Sequence, residues 1–148
     1  MLHSIRKAEE HHLAGLSDLF VEFIDAESNL TAMKKQLDLI STNSDYYIAV
    51  ACDDKEKVIG TSMAIKCMDL VGNCKPFLVV ENVVVAPGYR GMGIGKSLME
   101  AVEEFGLQND CNYIMLVSGN SWSQAHDFYR SIGYSDEHAG FKKRLIYS

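Results

Sequence analysis

Between residues 83 and 105 the chain passes from an unbroken apolar run, Val83-Val84-Val85, through Arg90-Gly91-Met92-Gly93-Ile94-Gly95-Lys96-Ser97, into a helical stripe at Ile94, Leu98, Ala101, Val102 and Phe105. A strand that gives way to alternate glycines and then to an amphipathic helix confines the fold to α/β architectures. Glycine lets consecutive backbone N–H groups turn toward an anion with no side chain in the way. A helix starting there adds unpaired donors and the positive end of its dipole. The stretch reads as a phosphate cradle, with a glycine-rich structural turn and helix cap as the alternative.

Spacing excludes two familiar phosphate loops. A Walker A loop needs a glycine five residues before the Gly of Gly-Lys-Ser, and counting back from Gly95 reaches Arg90. A dinucleotide fingerprint needs Gly-x-Gly-x-x-Gly, and after Gly91 and Gly93 the third place falls on Lys96. The pattern that fits is Arg-x-x-Gly-x-Gly at Arg90, Gly93 and Gly95, preceded by Val85-Ala86-Pro87-Gly88-Tyr89. This resembles the acetyl-coenzyme A loop of the GNAT superfamily of N-acetyltransferases. A second stretch, Ala125-His126-Asp127-Phe128-Tyr129-Arg130-Ser131-Ile132-Gly133-Tyr134, is similar to that family's Ala-x-x-Phe-Tyr-x-x-x-Gly-Phe/Tyr helix, in the right order along the chain.

The rest of the chain agrees with one such domain over residues 1–148. At 148 residues it has the length of a single domain and can bury roughly two thirds of its unfolded surface. Apolar residues make up 47%, with no low-complexity tract, internal repeat or apolar run of membrane length. No membrane partner is expected. The start lacks the apolar segment of a secretory signal, so a cytoplasmic location is expected. Cys52, Cys67, Cys74 and Cys111 have no Cys-x-x-Cys spacing and form no zinc pattern with the histidines, so they read as reduced structural thiols and no metal is expected. A net charge of −6 argues against a nucleic-acid surface and suits a cationic substrate.

Periodicity predicts the order β-α-α-β-β-β-α-β-α-β, a mixed central sheet flanked by helices. The elements are a strand at Ile5 to Ala8, helices carrying Leu13 to Ile24 and Leu30 to Ile40 with Ser28 or Asn29 as cap, and a hairpin through Asp53 to Lys57. A long strand from Phe77 to Val85 and the glycine-loop helix follow. A buried strand from Tyr113 to Val117, a helix around Ala125 to Ile132 closed by Gly133, and a last strand from Phe141 to Tyr147 complete the order. It is similar to the GNAT order across essentially the whole chain.

By that resemblance, residues 90–97 (Arg90, Gly91, Met92, Gly93, Ile94, Gly95, Lys96 and Ser97) bind the pyrophosphate of acetyl-CoA, Val83, Val84 and Val85 pair with the pantetheine arm, and Tyr129 lies near the thioester sulfur. A homodimer is implied in the same way. Each assignment also has a chemical reason. Pantetheine contains amides, which an open strand edge at Val83 and Val85 can bind as an added strand. Arg90 reinforces an anion site by charge; Lys96 either reaches a phosphate or faces solvent, and Ser97 either offers its hydroxyl or caps the helix.

Acyl transfer from a thioester to an amine needs a neutral amine, a stabilised oxyanion and an acceptable leaving thiolate. The phenol of Tyr129 can protonate the departing sulfur; the other reading is a core residue of the helix's apolar stripe. Strand alternation puts Glu81, Val83 and Val85 on one side, making Glu81 a base, an ammonium-binding group or a structural carboxylate. A backbone N–H on that strand, with Val83 as the candidate, would hold the oxyanion. The family's usual Asn three residues before the helix Ala is here Trp122, so either Asn120 substitutes for it or Trp122 lines the acceptor pocket or packs in the loop. His126 either approaches the site or is an exposed helix residue. The cysteines carry no acyl-enzyme signature, which favours direct attack in a ternary complex. The expected activity is acetyl transfer from acetyl-CoA to a primary amine of a small molecule or peptide; the alternative is a non-catalytic acyl-CoA-binding sensor of the same fold.

Overall fold

Along Tyr46–Asp53 the side chains of Ala49 and Ala51 pack in one cluster and those of Val50 and Cys52 in another, and all four are fully buried. A strand buried on both faces must lie inside a sheet with a layer on each side. The computed structural model describes residues 3–146. Among these, β1 (His3–Lys7), β2 (Tyr46–Asp53), β3 (Val58–Cys67), β4 (Phe77–Val85) and β5 (Ile114–Met115) form one sheet in chain order, antiparallel from β1 to β4 and parallel between β4 and β5.

Two helices cover one face and a third the other. On the first face, α1 (Leu13–Ile24) and α2 (Leu30–Ser41) bring Leu13, Leu16, Leu19 and Leu37 onto Val50, Cys52, Val58 and Val84. Asn29 caps α2, its side-chain oxygen accepting from the Ala32 N–H at 2.9 Å, which satisfies one of the orphan donors of the first turn. On the opposite face, α3 (Ile94–Gln108) sets Ile94 and Leu98 against Ala49, Ala51 and Ile59. Full burial of such a side chain stabilises by about 1.5–3 kcal/mol. The close approach of α3 depends on Gly60, where an added Cβ would meet Leu98 Cδ1 at 2.9 Å.

The chain divides into two units, Met1–Leu116 with the whole sheet and α1 to α3, and Val117–Ser148, whose described helix is α4 (Ser123–Ser131). The element order follows the sequence reading through α4. Two differences stand out. The strand expected over 113–117 is confined to Ile114–Met115, because β4 and β5 pair only at Leu78 with Ile114 and Val79 with Met115. The last strand does not form: residues 141–146 carry no strand, and Phe141, Leu145 and Ile146 are strongly exposed. Tyr147, the end of that expected strand, lies outside the described residues.

Candidate active site

Beyond Val79, β4 continues with no strand paired on its β5 side among the described residues. The Ala86 N–H donates to the Ile59 carbonyl at 2.9 Å, so by the alternation of an antiparallel ladder the backbone groups of Val85 point away from β3, toward this open edge. The Val85 carbonyl is met there by Arg90, whose Nε donates to it at 3.2 Å. A one-turn 3-10 helix, Pro87–Tyr89, makes the link, and the Tyr89 hydroxyl donates to Asp53 Oδ2 at 3.4 Å, fixing the strand exit to the β2–β3 hairpin.

The glycine loop then opens α3. Gly91 and Gly93 both have positive φ, +78° and +81°, and a Cβ built on either would meet nothing within 4 Å. Gly93 is the N-cap and offers no side-chain cap, so the N–H groups of the first turn of a fifteen-residue helix are left to an outside acceptor. Open space beside uncapped donors and an arginine fits a pyrophosphate. Met92 and Lys96 are exposed, and Ile94 is buried under the sheet, where it anchors the helix start. Ser97 is otherwise engaged: its hydroxyl donates back to the Gly93 carbonyl at 3.1 Å and lies 3.2 Å from Nε2 of His3, a residue that no sequence motif singles out.

The expectation that Glu81, Val83 and Val85 share a side fails at Asn82. Asn82 has φ +56°, and the pairing with β3 slips between Thr61 and Met63, the mark of a β-bulge. Leu78 packs under Gly106 of α3, and Val85, seven residues on, also packs on the α3 side, whereas an unbroken strand would put them on opposite faces. Val83 and Val85 therefore face α3, and Val84 faces α1 and α2. Glu81 stands directly across from Met63. Because the neighbouring Ser62 donates from Oγ to the Leu98 carbonyl on the α3 side, Met63 and Glu81 face α1 and α2, and Glu81 is exposed there. An asparagine in the middle of a strand was the available signal, since Asn tolerates the left-handed region.

In the second unit, α4 presents Tyr129 between Phe128 and Tyr134, with ring centroids 5.3 and 5.9 Å away. Burial pushes its phenol up to about 12, which keeps the hydroxyl protonated near neutrality. Trp122 is the N-cap residue of α4 and is exposed, as is Asn120. His126 turns back on its own loop, with Nε2 2.9 Å from the Gly119 carbonyl.

The model of the Acetyltransferase (GNAT) family matches residues 9–134. The chain belongs to that family. Among curated relatives, the GNAT chain is 38% identical over 68 residues to histone acetyltransferase TAP1 of Glycine max, a match that spans 46% of this chain and only 28% of the soybean protein. Among solved structures, glucosamine-6-phosphate N-acetyltransferase from Arabidopsis thaliana superposes with a TM-score of 0.89 at 21% identity, covering 99% of this chain and 100% of that one. The aminoglycoside N-acetyltransferase AAC(6')-Iy, solved in complex with CoA, gives a TM-score of 0.81 at 20% identity over 98% and 96% of the two chains. At such identities the structures speak for the shared fold, a mixed sheet flanked by helices.

Proposed function

We propose that this GNAT chain is a single-domain N-acetyltransferase that moves the acetyl group of acetyl-CoA to a primary amine of a small molecule or peptide, by direct attack in a ternary complex. The observation that carries the reading is the uncapped start of α3 at Gly93, set beside the open edge of β4. Acetyl-CoA, when bound, supplies the activated acyl thioester. Residues 90–96 hold its pyrophosphate, chiefly by the N–H groups after Gly93 and by Arg90, while the outward backbone of Val85 pairs with an amide of the pantetheine arm. Glu81 takes the proton of the acceptor ammonium, directly or through water, and the protonated phenol of Tyr129 gives its proton to the departing sulfur. Asn120 is the loop residue available for a pantetheine contact. Ser97 is left out of the binding set, because its hydroxyl is spent inside the loop.

A thiol-release assay with acetyl-CoA against polyamines, aminoglycosides, amino acids and peptide N-termini tests this. Release with at least one amine supports the reading. Normal CoA binding with no amine acetylated overturns it in favour of a non-catalytic acyl-CoA-binding module. The proposal includes a cytoplasmic homodimer, which sedimentation equilibrium at micromolar concentration and fractionation of the native host check.

A further inference from the structure

The bulge at Asn82 does more than turn Glu81; it puts it on the face of the sheet that carries a hole. A cavity of about 140 Å³, partly open to solvent, lies between α1, α2 and the sheet. Leu16, Phe20, Met33, Ile48 and Met63 supply apolar walls. The polar residues that line it are Gln36, Thr61 and Asn82, and the Thr61 hydroxyl is already committed, donating to the Ala49 carbonyl at 2.8 Å. No lysine or arginine lines it. Glu81 stands across the strands from Met63 and next to Asn82, two residues that line the cavity, so one carboxylate lies on the same face as an apolar hole whose lining includes Gln36 and Asn82. Directly opposed residues have Cβ atoms about 5 Å apart, within reach of one small molecule.

Resting on the acetyltransferase reading above, we infer that the acceptor is a primary amine carrying an apolar substituent, aliphatic or aromatic, of about six carbons. The ammonium meets Glu81, and the substituent enters the cavity. Volume sets the size: an apolar cavity near 150 Å³ holds a benzene ring. Lining chemistry sets the class. A phosphorylated or polyhydroxylated amine would bring several groups that need donors or cations, and the wall offers two amides; burying such groups unpaired is unfavourable. An apolar group entering this wall gains roughly fourfold in binding for each methylene removed from water.

The test uses hexylamine and phenethylamine against ethanolamine and glucosamine, with two readouts on the intact chain. The first is kcat/KM for acetyl transfer, expected to be at least tenfold higher for the apolar pair. The second, independent of turnover, is the NMR spectrum of methyl-labelled methionines: the Met33 and Met63 methyls shift saturably with hexylamine and not with ethanolamine. A Met33→Trp variant, which fills the cavity, raises KM for hexylamine about tenfold while acetyl-CoA still binds, which shows that the variant is folded. If ethanolamine or glucosamine is acetylated as well as hexylamine, the inference falls and the acetyltransferase reading stands. If the Met33 and Met63 methyls do not respond, the inference also falls. If no amine is acetylated although CoA binds, the acetyltransferase reading falls, and this inference with it.

Discussion

Arg90 Nε donates to the carbonyl of Val85 at 3.2 Å, so the residue that opens the glycine loop is hung from the last residue of β4. One backbone bond thereby sets the strand edge and the anion cradle in register, and it leaves the other guanidinium nitrogens directed to solvent or ligand. Arg90→Ala removes a charged donor worth about 1.5–3 kcal/mol where fully engaged, discounted here because the side chain is exposed. We expect acetyl-CoA to bind roughly 5- to 30-fold more weakly, measured by titration calorimetry. Arg90→Lys should fall between, since it keeps the charge and loses the planar donor that reaches Val85. The gap between wild type and Arg90→Ala should narrow at 1 M salt, where the screening length is about 3 Å.

Gly93 separates donor binding from folding. Its φ of +81° costs an alanine about 1–2 kcal/mol, while the space around an added Cβ is open. Gly93→Ala should therefore lose only that much stability by urea denaturation. Acetyl-CoA affinity should fall by roughly tenfold or more beyond it, because the added methyl group occupies open space at the helix start that an anion on the first-turn N–H groups needs. Unchanged affinity would place the pyrophosphate elsewhere.

The features legible in the sequence are those whose cause is local. Val83 to Val85, the glycines and the α3 stripe each carry their own conformational reason, and so their order survives in the structure. The face on which Glu81 emerges was not legible, because it is set by the pairing of β4 with Thr61 and Met63 across the sheet. Apolar alternation predicts a strand but not the slip at Asn82. For the same reason 141–146 failed as a strand: β-propensity marks residues that fit a pleated surface, and the hydrogen bonds must come from a partner. Ser97 lay where either a ligand contact or a helix bond was possible, and the Gly93 carbonyl, one turn back, is the nearer acceptor. The cavity between α1, α2 and the sheet was not legible either, since its walls come from two helices and three strands.

Tyr129, on the proposed reading, acts as an acid, and its raised pKa of about 12 fixes what pH should do. The phenol stays protonated across the assay range, so Tyr129→Phe should lower kcat roughly 10- to 1000-fold with little change in KM for acetyl-CoA. No alkaline fall in the wild-type rate between pH 7 and 10 should belong to this group. A downturn near pH 9 that disappears in Tyr129→Phe would show that the phenol titrates too low for the role.

His12 gives the fold an acid weakness remote from the chemistry. It is buried, its Nδ1 accepts from the Glu9 N–H at 2.9 Å, and its Nε2 has no hydrogen-bond partner among the described residues. Burial holds its pKa below the ordinary 6.5, helped by the positive charge of His11 and Arg6 and opposed by Glu9 and Glu56. A second proton would have to enter at Nδ1, putting a donor against the Glu9 N–H. The folded state therefore binds a proton less readily than the unfolded chain. The contribution of this group is fully present above 6.5, and it is lost as pH falls from there toward the lower folded value. Urea midpoints should drop between pH 7 and 5. His12→Asn, which keeps an acceptor near the Nδ1 position and cannot titrate, should flatten that part of the curve even if it lowers stability at pH 7. An equal slope in wild type and variant would assign the acid sensitivity to the carboxylates instead.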